Sequence, residues 1–197
     1  RKFMLLPLID SPAPEVNLSH LDDLWFQVSG TLCNLTCHHC FISCSPHNRS
    51  FGFLSLETVR QHLEDSVRLG VKEYYFTGGE PFLNPDMTAI LELTLQYGPA
   101  TVLTNGTVFK NEWLRRLSAA EQASPFSLEF RVSIDGLTPE ENDPVRGEGT
   151  FERARRGIIQ LVEHDFMPII TVTRTSDNQD DARLVRGSIK MLKDLGY

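Results

Sequence analysis

The chain has 197 residues, 41% of them hydrophobic, enough to bury one sizeable core and in keeping with one domain or the larger part of one. Its 26 acidic against 19 basic residues give a formal charge of -7, which argues against a general nucleic-acid or anionic-membrane binder and suits a small-molecule or protein substrate. No apolar run reaches the ~18 to 20 residues of a membrane span, and the opening RKFMLLPLID is too short in its apolar core for a secretory signal, so the expected location is cytoplasmic.

Residues 1–23 read as a lead-in segment that begins with Arg rather than Met, and residues 24–197 as the core domain. The first strand is LWFQV (24–28). A long loop carrying every cysteine follows it. Ser55 then N-caps a helix with Leu56, Val59, Leu63 and Val67 on one face. VKEYYFT (71–77) is the second strand, after which Asn84 and Pro85 open a helix as N-cap and first-turn residue. ATVLT (100–104) precedes a helix marked by Trp113, Leu114 and Leu117. LEFRVSI (128–134) precedes one with Phe151, Ala154, Ile158 and Leu161 behind Thr150. PIITVT (168–173) precedes the last, with Val185, Ile189, Leu192 and Leu195. Strict alternation means an α/β fold with a parallel sheet and right-handed crossovers, doubly wound or curled into a barrel. The last helix ends in DLGY (194–197), where a sixth strand would follow, so a sixth βα unit is expected past that point.

All four cysteines, Cys33, Cys37, Cys40 and Cys44, lie between 33 and 44, poor geometry for a disulfide framework and good geometry for a ligand set. A long loop at the C-terminal end of a parallel strand is also where such folds place their chemistry. CNLTCHHC spaces three thiols as C-x3-C-x2-C. Three thiolates on an iron-sulfur cluster leave one iron without a protein ligand, whereas Cys44 as a fourth would close it for electron transfer. Zinc is a further reading, with His38 and His39 beside the thiols, although structural zinc usually gathers two separated ligand pairs. Spacing alone leaves these open. The second strand ends in TGGEP (77–81), whose glycines let a ligand approach the backbone and whose Glu80 would either accept from a ligand ammonium or anchor the loop.

CNLTCHHC after the first strand, paired with GGEP after the second, resembles the radical S-adenosylmethionine (radical SAM) enzymes. The resemblance covers about residues 24–197 and implies a partial (β/α)6, TIM-like barrel with five units present and the sixth truncated. It implies that Cys33, Cys37 and Cys40 bind three irons of a 4Fe-4S cluster and that S-adenosylmethionine chelates the fourth. Reductive cleavage of that cofactor would give a 5'-deoxyadenosyl radical for hydrogen abstraction, an oxygen-sensitive oxidoreductase chemistry driven by a reductant such as a flavodoxin or ferredoxin.

Position by position, Gly78, Gly79, Glu80 and Pro81 would receive the methionine amino group. Ser133 and Asp135 in VSIDG match the family's ribose-contacting and carboxylate-contacting edge. Arg146 in VRGEGTF matches the arginine that pairs with the methionine carboxylate. Thr104 and Asn105 in LTNG point to the same rim, and Thr171 and Thr173 to the adenosine side. No side chain is assigned as a catalytic acid, base or nucleophile. The pattern looks most like members that modify peptides or proteins, such as sulfatase-maturing enzymes, and members that finish haem.

Blander roles stand beside these. Asp135-Gly136 and Asn105-Gly106 are turn formers. Arg153, Arg155 and Arg156 suit a solvated helix face, and His20, His47, His62 and His164 suit the surface or loops. Tyr74, Tyr75 and Phe76 read as strand core, Trp25 as packing, and Cys44 as a buried free thiol. The rival class is a non-catalytic iron-sulfur electron carrier that uses all four cysteines.

Overall fold

Five short runs form one parallel sheet in the computed structural model, which describes residues 17, 20–174 and 180–196. They are β1 (Asp23–Gln27), β2 (Glu73–Thr77), β3 (Ala100–Thr104), β4 (Leu128–Ser133) and β5 (Ile169–Thr171), side by side in chain order. The expected lead-in over 1–23 lies mostly outside the described residues. Each crossover carries helix: α1 (Leu56–Leu69), α2 (Met87–Thr94), α3 (Asn111–Gln122), α4 (Pro139–Arg146) with α5 (Thr150–Glu163), and α6 (Asp181–Asp194) after β5.

Alternation along the strands decides which face packs. Phe26, Tyr74, Phe76, Ala100, Val102, Leu128, Phe130 and Val132 are buried on one face, against Val59 and Leu63 of α1, Ile90 and Leu91 of α2, Leu114 and Leu117 of α3, and Ile158 and Leu161 of α5. Phe82 knits this layer, with ring centroids 5.0 Å from Phe109 and 6.2 Å from Phe130. Residues of the opposite parity form the other face. There Trp25 stacks on Tyr75 at 4.5 Å, and the Arg131 guanidinium lies 5.7 Å from the Tyr75 ring. Tyr75 is therefore not core as its neighbours Tyr74 and Phe76 are, because the period of two turns it to the opposite face. Trp25 packs on one side only and is 53% exposed.

Several local expectations need correction. Ser55 does cap α1, accepting from Thr58 N at 3.1 Å, but Val67 is exposed, and Ser66 takes the sheet-facing place in the last turn with its hydroxyl 2.7 Å from the Tyr74 hydroxyl. Asn84 is not an N-cap of α2. A 3-10 turn over Pro81–Leu83 intervenes and α2 starts at Met87, behind Asp86. The Asn84 amide instead donates to Val28 O and Leu54 O, both at 2.8 Å, while its Oδ1 accepts from Asp86 N. Thr150 is the first residue of α5 rather than a residue before it, behind Gly149 at φ 70.

Helix α4 has no counterpart in the periodicity, since Pro139 and Pro144 punctuate eight mostly polar residues. Strand β5 is three residues long, shorter than PIITVT suggests. Val185 and Ile189 of α6 are exposed, lining a groove of about 570 Å³ with Ile169, Ile170 and Leu184 beside β5.

Asn84 ties the exit of β1 to the start of α2, so its loss strands two carbonyls and an N–H in a site only 3% exposed. Asn84→Ala should cost about 2 to 4 kcal/mol in urea denaturation, beyond the ~1 kcal/mol of a lost cap. Asn84→Asp separates the roles. Aspartate caps well yet cannot donate to Val28 and Leu54, so a neutral Asn84→Asp would contradict the bridging role.

Candidate functional site

Past the end of β1 the chain continues to run beside the loop that follows β2. Val28 N donates to Thr77 O (2.9 Å), Gly79 N to Gly30 O (3.0 Å) and Glu80 N to Leu32 O (3.1 Å). These bonds place the glycine loop against the first cysteine. A Cβ on Gly79 would stand 2.0 Å from Leu32 O and 2.8 Å from the Cys33 Cβ, so only glycine permits the approach. At Gly78, φ is 146 and a Cβ would meet Ser29 Oγ at 2.3 Å.

The cysteine loop is also closed on itself and on α4. Cys33 N donates to Ser45 O at 3.2 Å, and His38 N to Val145 O at 2.9 Å. All four cysteines are free thiols in one small contact cluster with Leu35 and Ile42. Cys33 and Cys44 are buried; Cys37 and Cys40 are partly open. Two triad sulfurs accept main-chain N–H groups, Cys33 from Leu35 (3.4 Å) and Cys40 from Cys44 (3.3 Å). Burial pushes the Cys33 thiol up to about 11 and Cys44 up to about 12, and it raises Cys37 against the opposing pull of Arg146. Metal-free, these groups hold their protons, and metal loading must displace them.

Glu80 anchors the loop. It is fully buried, with Oε1 accepting from Phe82 N (3.1 Å) and Thr104 Oγ1 (2.7 Å) and Oε2 from Asn105 N (2.8 Å). Thr104 and Asn105 thus lie beside the glycine loop, with their polar groups engaged within the protein. Asn105 Nδ2 donates to Asn34 Oδ1 at 2.9 Å and lies 3.8 Å from Cys33 Sγ.

Beyond β4, Asp135 is the centre of a buried polar group. Its Oδ2 is 2.6 Å from Arg146 Nε and 3.0 Å from His39 Nε2, and its Oδ1 accepts from Thr173 N at 2.8 Å. The Arg146 contact is one of charge. Arg146 Nε, Asp135 Oδ2 and His39 Nδ1 are all buried without an aligned hydrogen bond. Ser133 and Thr171 adjoin across β4 and β5, with hydroxyls 3.3 Å apart. The site residues named from the sequence therefore meet along one edge of the sheet.

Sequence reasoning missed the residues that brace them. Asn142 Oδ1 accepts from Asp135 N at 3.0 Å, and Asp143 accepts from Gly149 N (2.7 Å) and Phe151 N (2.9 Å), fixing the turn into α5. Asp143 lies eight positions before Phe151, outside any N-cap spacing, so no local signal marks it. His39 was visible only as a neighbour of the thiols.

Burial pushes the Glu80 carboxyl up to about 7, against the pull of Asn105 N–H, the Thr104 hydroxyl and Phe82 N–H. The folded form holds the proton to higher pH than the unfolded chain. The contribution to stability is therefore full below the unfolded value near 4.5 and is lost as pH rises through about 7. Relative to Glu80→Gln, the metal-free protein should lose stability between about pH 5 and pH 8. Urea midpoints of both proteins across that window measure the gap; a constant gap would mean that Glu80 does not titrate there.

Comparison with known proteins accords with this geometry. The family model described as the Radical SAM superfamily matches residues 28–183. The mycofactocin maturase MftC of Mycobacterium tuberculosis is 30% identical over 76% of the chain and 37% of the relative. The AdoMet-dependent heme synthase of Methanosarcina barkeri is 31% identical over 83% of the chain and 45% of the relative. The chain thus spans less than half the length of these relatives. Among solved structures, Streptococcus suis SuiB bound to S-adenosylmethionine superposes with a TM-score of 0.74 at 18% identity, over 90% of this chain and 39% of SuiB; SuiB has also been solved with its precursor peptide SuiA. The fold is the partial TIM barrel of these structures, and the chain belongs to the radical SAM superfamily.

Proposed function

We propose that this chain is the catalytic core of a radical SAM enzyme, with Cys33, Cys37 and Cys40 holding a 4Fe-4S cluster and the neighbouring rim holding S-adenosylmethionine. One observation carries the reading. Next to the thiol loop, Arg146 Nε and His39 Nε2 converge on the buried Asp135 Oδ2 at 2.6 and 3.0 Å, a charged environment beside the free thiols that suits a zwitterionic ligand. Cluster and cofactor together supply one-electron cleavage of the sulfonium and a 5'-deoxyadenosyl radical for hydrogen abstraction.

The protein's part is binding and orientation. Arg146, a planar donor whose Nε lies 2.6 Å from Asp135 Oδ2, would pair the methionine carboxylate through its other guanidinium N–H groups. Main-chain groups of Gly78, Gly79 and Pro81 receive the amino group, since the Glu80 carboxylate is already taken by three donors. Ser133 and Asp135 face the ribose side, with Thr171 beyond them. Thr104 and Asn105 shape the rim.

The substrate is best read as a peptide or protein, or a cofactor under maturation. SuiB binds a precursor peptide in one of its solved structures and MftC is a maturase by name, and both resemble this chain. The face carrying Trp25, Tyr75, Thr101 and Arg131 lies below the site on the same strands and offers an aromatic and polar surface to it. Among the described residues no helix is long and apolar enough to cross a membrane. We take the protein to be cytoplasmic, supplied with electrons by a flavodoxin or ferredoxin, with no nucleic-acid or membrane partner.

The four-cysteine electron carrier is the second reading, because Cys44 shares the buried thiol cluster. Anaerobic reconstitution followed by electron paramagnetic resonance separates the two. The reduced cluster signal should change on adding S-adenosylmethionine, and Cys44→Ala should keep its iron while Cys33→Ala, Cys37→Ala and Cys40→Ala lose it. A signal indifferent to S-adenosylmethionine, together with loss of the cluster in Cys44→Ala, would favour the carrier.

A further inference from the structure

We propose that Asn105 is a positioning residue that sets the reduction potential of the cluster by donating its side-chain amide to the Cys33 sulfur, and that Thr107 and Asn34 lock the amide in that orientation. The inference rests on the cluster reading above, and goes beyond placing Asn105 on the cofactor rim.

The orientation follows from what each partner is able to give. Asn105 Oδ1 accepts from Thr107 N at 3.0 Å, and a backbone N–H only donates, so that end of the amide is the oxygen. Thr107 Oγ1 lies 2.6 Å from the same oxygen. The Nδ2 end therefore faces Cys33 Sγ at 3.8 Å and Asn34 Oδ1 at 2.9 Å. Asn34 Nδ2 returns a bond to Thr107 Oγ1 at 2.8 Å. Three side chains from two loops form a closed ring whose spare proton points at a sulfur.

The ring is an electrostatic device as well as a brace. Asn105 is 9% exposed and Cys33 8%, so the amide dipole acts through little solvent. A donor on a cluster sulfur stabilises the state with the extra electron and raises the potential. The Leu35 N–H on the same sulfur belongs to the main chain and is beyond the reach of side-chain substitution. Asn105 is the side-chain donor to a triad sulfur among the described residues.

The test is a potentiometric titration of anaerobically reconstituted protein, followed by electron paramagnetic resonance, with iron counted per chain. Asn105→Leu removes the donor at similar size and without adding charge. It should keep its iron, and its ratio of reduced to oxidised cluster at fixed poise should fall about tenfold, ~59 mV to the negative for a one-electron couple. Thr107→Val keeps the main-chain donor to Asn105 Oδ1 but removes the hydroxyl that braces Asn105 and Asn34, which loosens the amide and should shift the potential the same way by less; Thr107→Ser should restore it.

Full iron with an unchanged midpoint in Asn105→Leu overturns the proposal. Should that variant lose its iron, the Thr107 pair decides: a negative shift in Val that Ser reverses supports the role, and no shift overturns it. Wild-type protein that binds no cluster would instead sink the cluster reading itself.

Discussion

The site depends on a single buried carboxylate. Glu80 takes one donor from its own turn, one from the last residue of β3 and one from the loop that follows, so two strand ends that share no covalent neighbour are fixed to each other. Its burial is unfavourable for an ionised group, and the three donors offset that cost only while all are present. Register then passes the constraint onward. Glu80 N binds Leu32 O, which sets Cys33 against Gly79, and Asn105 carries the same loop to Asn34. A cysteine loop with little apolar core of its own is thereby positioned from outside.

The fold was legible wherever side-chain period and burial agree. The five strands and the helix faces through Leu63, Leu114 and Ile158 needed only the contrast between periods of two and 3.6. The reading weakened where backbone geometry is set by partners remote in sequence. Asn84 looks like a cap because Asn-Pro often precedes a helix, yet its amide is claimed by carbonyls 30 and 56 residues away. Tyr75 was misjudged for another reason: a strand buried on both faces and one buried on a single face show similar aromatic content.

The candidate site followed the same rule. The thiols and GGEP lie in short contiguous motifs, so their presence is read directly. Their supports are dispersed. Asn34 and Thr107 in loops, and Asn142 and Asp143 in the short α4, are small polar residues indistinguishable in sequence from turn formers, and only the closed bonding partners in space give them a role. Asn105, which the sequence reading assigned to the rim, has its donors turned toward the protein rather than outward.

These supports also bear on how a cluster would be tolerated. Thiols that burial keeps protonated resist ionisation until metal arrives, so loading is coupled to proton release. Flexible thiols would add the entropy of ordering the loop to that cost. Here the loop is tied through Leu32, Asn34, His38 and Ser45 to three other parts of the sheet edge and to its own return, so much of the ordering accompanies folding. What is left to binding is the exchange of protons for iron and the docking of a ligand against the charged group around Asp135. A site braced in this way responds more to the donors that face its sulfurs than to further tightening of its frame.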